Sequence, residues 1–184
     1  MSSRQRLTQA ALEILDSGGL SGFSTRAACE RAGVKAPTLY HHFGDADGLI
    51  SAAAELGFEQ FLKRKLTRAP ANDPAVDLME GWDDYLAFAR ERPKLYLAMT
   101  ARHFGGGSVA AAQAGRLHLE ATLARLEEQG RLRLPVAAAA DLVWATAHAG
   151  ALLFAAASPG APSHEVIATL RGGAESVLAL PSPT

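Results

Sequence analysis

Residues 32–43 read AGVKAPTLYHHF, a segment barely two helical turns long in which Val34, Leu39 and Phe43 are the evident core residues. A helix this short does not hold itself together in water, so those three side chains must anchor it to something larger. The polar remainder then has another task. Upstream, Ser24 precedes TRAACERA as the N-cap of a helix of about eight residues, which Gly33 terminates. Pro37 falls in the first turn of the next helix, where its missing N–H costs nothing. Two short helices joined through a glycine turn make a helix-turn-helix. In that arrangement the first helix braces and the second is offered to solvent, so that its N-terminal residues can enter a DNA major groove about 12 Å wide. Lys35, Ala36, Pro37, Thr38, Tyr40, His41 and His42 are then the outward-pointing set. Thr38 and Tyr40 can donate to phosphate oxygens, Lys35 adds charge, and Ala36 and Pro37 offer apolar surface to thymine methyls. Arg26, in the first turn of the bracing helix, can reach guanine O6 and N7, while Ser24 and Thr25 sit at a helix N-terminus that favours a phosphate.

Outward from this stretch the apolar residues keep a helical period. Leu7, Ala10, Ala11, Ile14 and Leu15 share one face of a first helix from about Arg4 to Ser17, closed by Gly18 and Gly19. Asp45 or Gly44 caps a long fourth helix from about Ala46 to Arg68. After the joint APANDP at 69–74, helices are expected at 74–91, from Pro93 through KLYLAMTAR, at 108–129, at 135–157 and at 163–179, with HFGGGS and SPGAPS as breaks. No segment alternates as a strand would, and no internal repeat is evident. The fold class expected is all-α with about nine helices, divided into a head at 1–45 and a larger helical region at 46–184.

The stretch GLSGFSTRAACERAGVKAPTLYHHFGDADGLI resembles the DNA-binding region of the TetR/AcrR family of bacterial transcriptional regulators, with its AGV turn and TLYxHF signature. The resemblance covers about residues 4–50. It departs at Ala46, where the family pattern usually has a lysine that contacts phosphate. Cys29 stands where the family commonly has a small buried alanine and is read as a packing residue. Further on, WDDYLAFARERPKLYLAMT and WATAHAG are similar to the C-terminal domain of the branch named for a Trp-His-Gly motif. Trp144 and His148 match that motif, and Ala149 departs from it. The resemblance implies a homodimer on operator DNA whose C-terminal region takes a small effector.

Residue types in the larger region are compatible with that. Met79, Trp82, Tyr85, Phe88, Tyr96, Met99, Phe104, Trp144 and Phe154, with His103, His118 and His148 as polar partners, suit a mostly apolar pocket with a few orienting hydrogen bonds. The same residues also serve as an ordinary core. The three histidines are widely spaced without paired carboxylates, so neither a metal nor a cofactor is expected. Leu142, Val143, Ala145, Thr146, Ala149, Leu152, Leu153 and Ala156, with Val166, Ile167, Leu170, Ala174, Val177 and Leu178, supply more small and aliphatic surface than one chain needs. Two such helix pairs fit a four-helix dimer interface.

Bulk properties leave this reading standing. The chain has 184 residues, 48% hydrophobic and 20% charged, with net charge −1. Residues 1–68 carry nine Lys/Arg against seven acids, and the rest nine against twelve. A front half of net +2 permits nucleic-acid binding without arguing for it alone. No run approaches the roughly 18 uninterrupted apolar residues of a membrane span, and one cysteine fits a reducing cytoplasm. The function expected is a ligand-responsive DNA-binding regulator, most often a repressor in this family, that binds a near-palindromic operator as a homodimer, with helix four as the lever. The rivals are a helical protein-interaction module that has lost DNA binding and an all-α enzyme using Asp83, Asp84 or Glu120. No nucleophile pattern, phosphate loop or metal-ligand run supports the enzyme.

Overall fold

The computed structural model describes residues 1–67, 71–104, 110–156 and 160–179, with the side chains of 65, 66, 103, 104 and 111 outside the description. Among the described residues there are nine helices: α1 (Ser3–Gly18), α2 (Thr25–Ala32), α3 (Ala36–Phe43), α4 (Ala46–Leu66), α5 (Pro74–Glu91), α6 (Pro93–Phe104), α7 (Ala110–Glu128), α8 (Val136–Ala156) and α9 (His164–Glu175). The all-α class is as expected. The glycine-rich HFGGGS run falls mostly outside the described residues.

Two compact units share these helices. The first comprises Met1–Lys63 and Arg92–Ala112, the second Arg64–Glu91 and Gln113–Thr184. Compactness therefore groups the chain differently from a cut at residue 45, since most of α4 and all of α6 fall with the head.

In the first unit α1 is the central support. Its buried stripe of Leu7, Ala10, Ala11, Leu12, Ile14 and Leu15 lies against α2, α3 and α6. A full capping box starts the helix, with Ser2 Oγ accepting from Gln5 N–H and the Gln5 side chain accepting from Ser2 N–H. Its C-terminal end is held by α6: the Arg92 guanidinium forks onto Asp16 at 3.0 Å for both bonds, and Lys94 Nζ donates to the Ser17 carbonyl at 2.6 Å. Arg102, further along α6, pairs with Asp47 in the first turn of α4. Partly exposed pairs of this kind each contribute roughly 0.2–1 kcal/mol. The burial of Leu95, Tyr96, Ala98 and Met99 along α6 accounts for more of its attachment.

The second unit is built on α5, α8 and α9, which pack on one another. Alanine and glycine allow close approach: a β-carbon at Gly150 of α8 would meet Leu86 of α5 at 3.0 Å. The α8 helix is long and apolar enough by composition to cross a membrane, a property the uninterrupted-run criterion missed. Its Ala139, Ala140, Val143, Ala147, Gly150 and Ala151 side is nevertheless buried in the unit.

One strand-like feature was not expected. The last helix ends at Glu175 rather than 179, and the chain beyond it pairs antiparallel with the α7–α8 turn through a Leu132–Leu178 bridge. Arg133 N–H donates to the Val177 carbonyl at 2.8 Å and Ala179 N–H to the Arg131 carbonyl at 2.9 Å. The reason lies in distant chain: residues 131–133 offer their peptide groups to the backbone beyond Glu175, and Val177 is fully buried there. Arg131 then forks onto Asp73, ahead of α5, at 2.8 and 3.1 Å.

That pair makes the unit acid-sensitive. The hydrogen bond from Arg131, then the one from Ala75 N–H, holds the Asp73 carboxyl below its ordinary value. Its contribution to stability is complete above the unfolded carboxyl pKa of about 3.9 and is lost as pH falls through the lower folded value. Thermal midpoints of wild type and Asp73→Asn should differ by a constant amount above about pH 5 and converge below about pH 4. A gap that stays constant into acid would remove the pair's role.

Candidate nucleic-acid interface

The geometry of the helix-turn-helix follows from four local signals. Ser24 Oγ accepts from Ala27 N–H at 3.1 Å and starts α2. Gly33, at φ 64° and ψ 41°, ends it in the left-handed conformation that glycine adopts without strain. Pro37 lies in the first turn of α3. Asp45 Oδ1, accepting from Gly48 N–H at 2.8 Å, caps α4.

Within α3 only Leu39 is fully buried, at 0% exposure. Val34 and Phe43 are half-buried beside it. Lys35, Ala36, Pro37 and His41 are exposed, as is Tyr40 at 50%, while Thr38 is half-buried. On α2, Ser24 and Arg26 are exposed and Thr25 is half-buried. The Arg26 guanidinium lies 2.8 Å from Glu30, one turn on, an exposed pairing that holds the side chain along the helix surface.

His42 is placed differently from its neighbours. Its Nε2 is 2.8 Å from Ser3 Oγ, and its ring packs edge-on against Phe43. It is half-buried against α1 rather than displayed with Tyr40.

The N-terminal turn of α1 supplies three contacts that sequence reasoning missed. Ser3 meets His42, the Arg4 guanidinium lies 5.4 Å above the Phe43 ring, and Arg6 Nε donates to the Ala32 carbonyl at 3.0 Å. The last satisfies a carbonyl that the end of α2 would otherwise leave unpaired. Gly48 was missed as well. A β-carbon there would lie 2.1 Å from the Phe43 carbonyl oxygen, so the start of α4 crosses the end of α3 at backbone contact. The available signal was a glycine in the first turn of a helix, where propensity gives it no advantage. Cys29 is buried, and burial pushes its thiol up, as a packing role requires.

The residues considered for a ligand fall in both units. In the second, Trp82 is buried and its Nε1 donates to Thr146 Oγ1 at 3.2 Å. Tyr85 Oη lies 3.5 Å from His148 Nδ1, and the His148 ring stacks parallel on Trp144 with centroids 5.1 Å apart. Phe88 is buried, and His118 is half-buried on α7. In the first, Tyr96 and Met99 are each 1% exposed and belong to the core of α6. His103 and Phe104 end α6, and their side chains lie outside the described residues. The structure thus brings Tyr85, Trp144 and His148 together. Among the described residues no cluster of His, Cys, Asp and Glu could hold a metal.

The head is a helix-turn-helix of the kind that presents one short helix to a duplex. A sequence profile described as bacterial regulatory proteins, tetR family, matches residues 7–53. It is 42% identical over 52 residues to the tetracycline repressor protein class C of Escherichia coli, covering 28% of this chain and 24% of that one. It is 32% identical over 80 residues to the HTH-type transcriptional regulatory protein RaaS of Mycobacterium tuberculosis, covering 44% and 37%. The chain thus spans about a quarter to well under half the length of these two curated relatives. Over the whole chain it is similar to a solved protein of unknown function from Rhodococcus sp. RHA1, with TM-score 0.77, 25% identity and 97% of each chain covered.

Two glycine substitutions test the geometry. Gly33→Ala should cost about 1–2 kcal/mol for a left-handed residue carrying a β-carbon, with Gly33→Asn milder. Gly48→Ala should cost more, because no rotamer change moves a carbonyl oxygen out of the way. Chemical denaturation showing Gly48→Ala to be the milder of the two alanine substitutions would exclude the close crossing.

Proposed function

We propose that this protein is a ligand-responsive transcriptional regulator, a repressor that binds a near-palindromic operator as a homodimer and is released by a small molecule. The observation that carries the reading is α3, an eight-residue helix attached by Leu39 with Lys35, Ala36, Pro37, Tyr40 and His41 left to solvent. Beside it stand the exposed N-cap Ser24 and Arg26 of α2. Residues 1–45 act as the DNA-binding portion and 46–184 as the effector-binding and dimerisation portion. Lys35, Thr38 and Tyr40 contact phosphates, Ser24 and Thr25 place a phosphate at the start of α2, and Arg26, Ala36 and Pro37 meet base edges. His41 is exposed on the same helix, whereas His42 steadies α3 against α1.

The effector, a small, mostly apolar or amphipathic molecule, is taken near Tyr85, Trp144 and His148. To act as a switch it must bind the two conformations with different affinity. Dimerisation runs through α8 and α9, which leave Leu152, Leu153 and Val166 exposed. An exposed apolar surface across two adjacent helices is what a symmetric four-helix interface would cover. Such a regulator works in the cytoplasm.

Binding to the promoter beside its own gene, measured against salt, tests the reading. Affinity should fall steeply with salt through counterion release. Tyr40→Phe and Lys35→Ala should weaken every operator alike, whereas Arg26→Ala should relax base preference. Ala46→Lys should tighten binding and steepen the log–log salt slope by about 0.9 per added phosphate contact. Binding no tighter than to random DNA at low salt sinks the proposal.

For the dimer, Leu153→Arg should shift sedimentation from dimer to monomer. A wild type that sediments as a monomer at every concentration contradicts that part.

A further inference from the structure

The second unit contains an open cleft of about 670 Å³ formed by the start of α5, the end of α9 and the bridged segments around Leu132 and Leu178. Its size falls within the range of about 300–1,000 Å³ usual for small-molecule sites. It shares no lining residue with the Tyr85–Trp144–His148 cluster. Val76, Met79 and Leu178 give it an apolar floor, and Val76 is 44% exposed, so part of that floor is wet. Around the floor stand three guanidinium groups, Arg131, Arg133 and Arg171, against a single carboxylate, Glu175.

These arginines are not equivalent. Arg131 forks onto Asp73, and Arg171 forks onto Asp83 at 3.2 Å for both bonds while also meeting Glu175. Arg133 is exposed, and among the described residues its side chain has no acidic partner. Its backbone is fixed all the same, because its N–H is bonded to the Val177 carbonyl across the bridge. The rim therefore holds, on a fixed backbone, one cation with no acidic partner among the described residues, beside water-exposed apolar surface. A guanidinium offers two parallel N–H donors that fit a carboxylate better than a hydroxyl, and it repels an ammonium.

We infer that this cleft binds a small amphiphilic carboxylate, with its apolar body on Val76, Met79 and Leu178 and its head on Arg133. The site is additional to the effector region of the regulator reading. Its test uses no DNA, so either idea can fail without the other.

The probe is decanoate, titrated calorimetrically into the full-length chain, with 1-decanol and decyltrimethylammonium as uncharged and cationic counterparts. Decanoate should bind saturably with one site per chain. Decanol should bind about tenfold or more weakly, the scale of one charge-assisted hydrogen bond, and the cation more weakly still. Arg133→Ala should lower decanoate affinity by a similar factor with an unchanged circular dichroism spectrum, and Arg133→Lys by less. Val76→Asp should lower it through the floor, whereas Tyr85→Phe and Trp144→Phe should leave it unchanged. The inference is overturned if decanoate does not bind, if decanol matches it, if Arg133→Ala binds as wild type does, or if the loss follows Tyr85→Phe.

Discussion

The attachment of α3 through Leu39 is the constraint on which the head depends. Eight residues cannot offset the cost of helix nucleation alone, and removing a fully buried leucine side chain costs about 2–5 kcal/mol, a large part of what a small domain has. Because one leucine, helped by half-buried Val34 and Phe43, does the anchoring, most of the remaining surface of the helix is free to be polar. The first turn of α1 completes the hold through Ser3, Arg4 and Arg6, each reaching the end of one of the two short helices. The two arginines of this first turn thus make specific contacts with the short helices.

The second unit relies on small residues instead. Alanine and glycine along α8 let α5 and α9 come close, and the larger aliphatic residues of α8 and α9 are partly left outside. Its edges are tied by charge: Arg116 joins Glu120 to Asp141, Arg125 meets Asp77, and Arg171 reaches Asp83. These pairs are partly exposed and add little individually. They link α7 to α8 and α5, and α9 to α5.

Helices and caps were legible in the sequence because they are local. Ser24, Gly33, Pro37 and Asp45 act within one turn of where they stand, and the helical period of apolar residues needs no knowledge of partners. What was hidden depends on distant chain. The inward turn of His42 requires Ser3, thirty-nine residues earlier, to be its neighbour. Tyr96 and Met99 looked like companions of Trp82 and Tyr85, yet they pack in the other unit because the chain returns to α1 at Arg92. The end of α9 was overrun for the same reason: only the proximity of residues 131–133 makes extended backbone preferable after Glu175. The outward residues of α3 could be named from composition, but their degree of exposure needed the packing of Leu39.

The crossing at Gly48 has a mechanical consequence. Where side chains separate two helices, rotamer changes absorb small shifts, and movement of one need not reach the other. Between the carbonyl of Phe43 and the backbone of Gly48 there is no such cushion. The first turn of α4 and the end of α3 thus meet like two bare rods in contact, with nothing soft wedged between them.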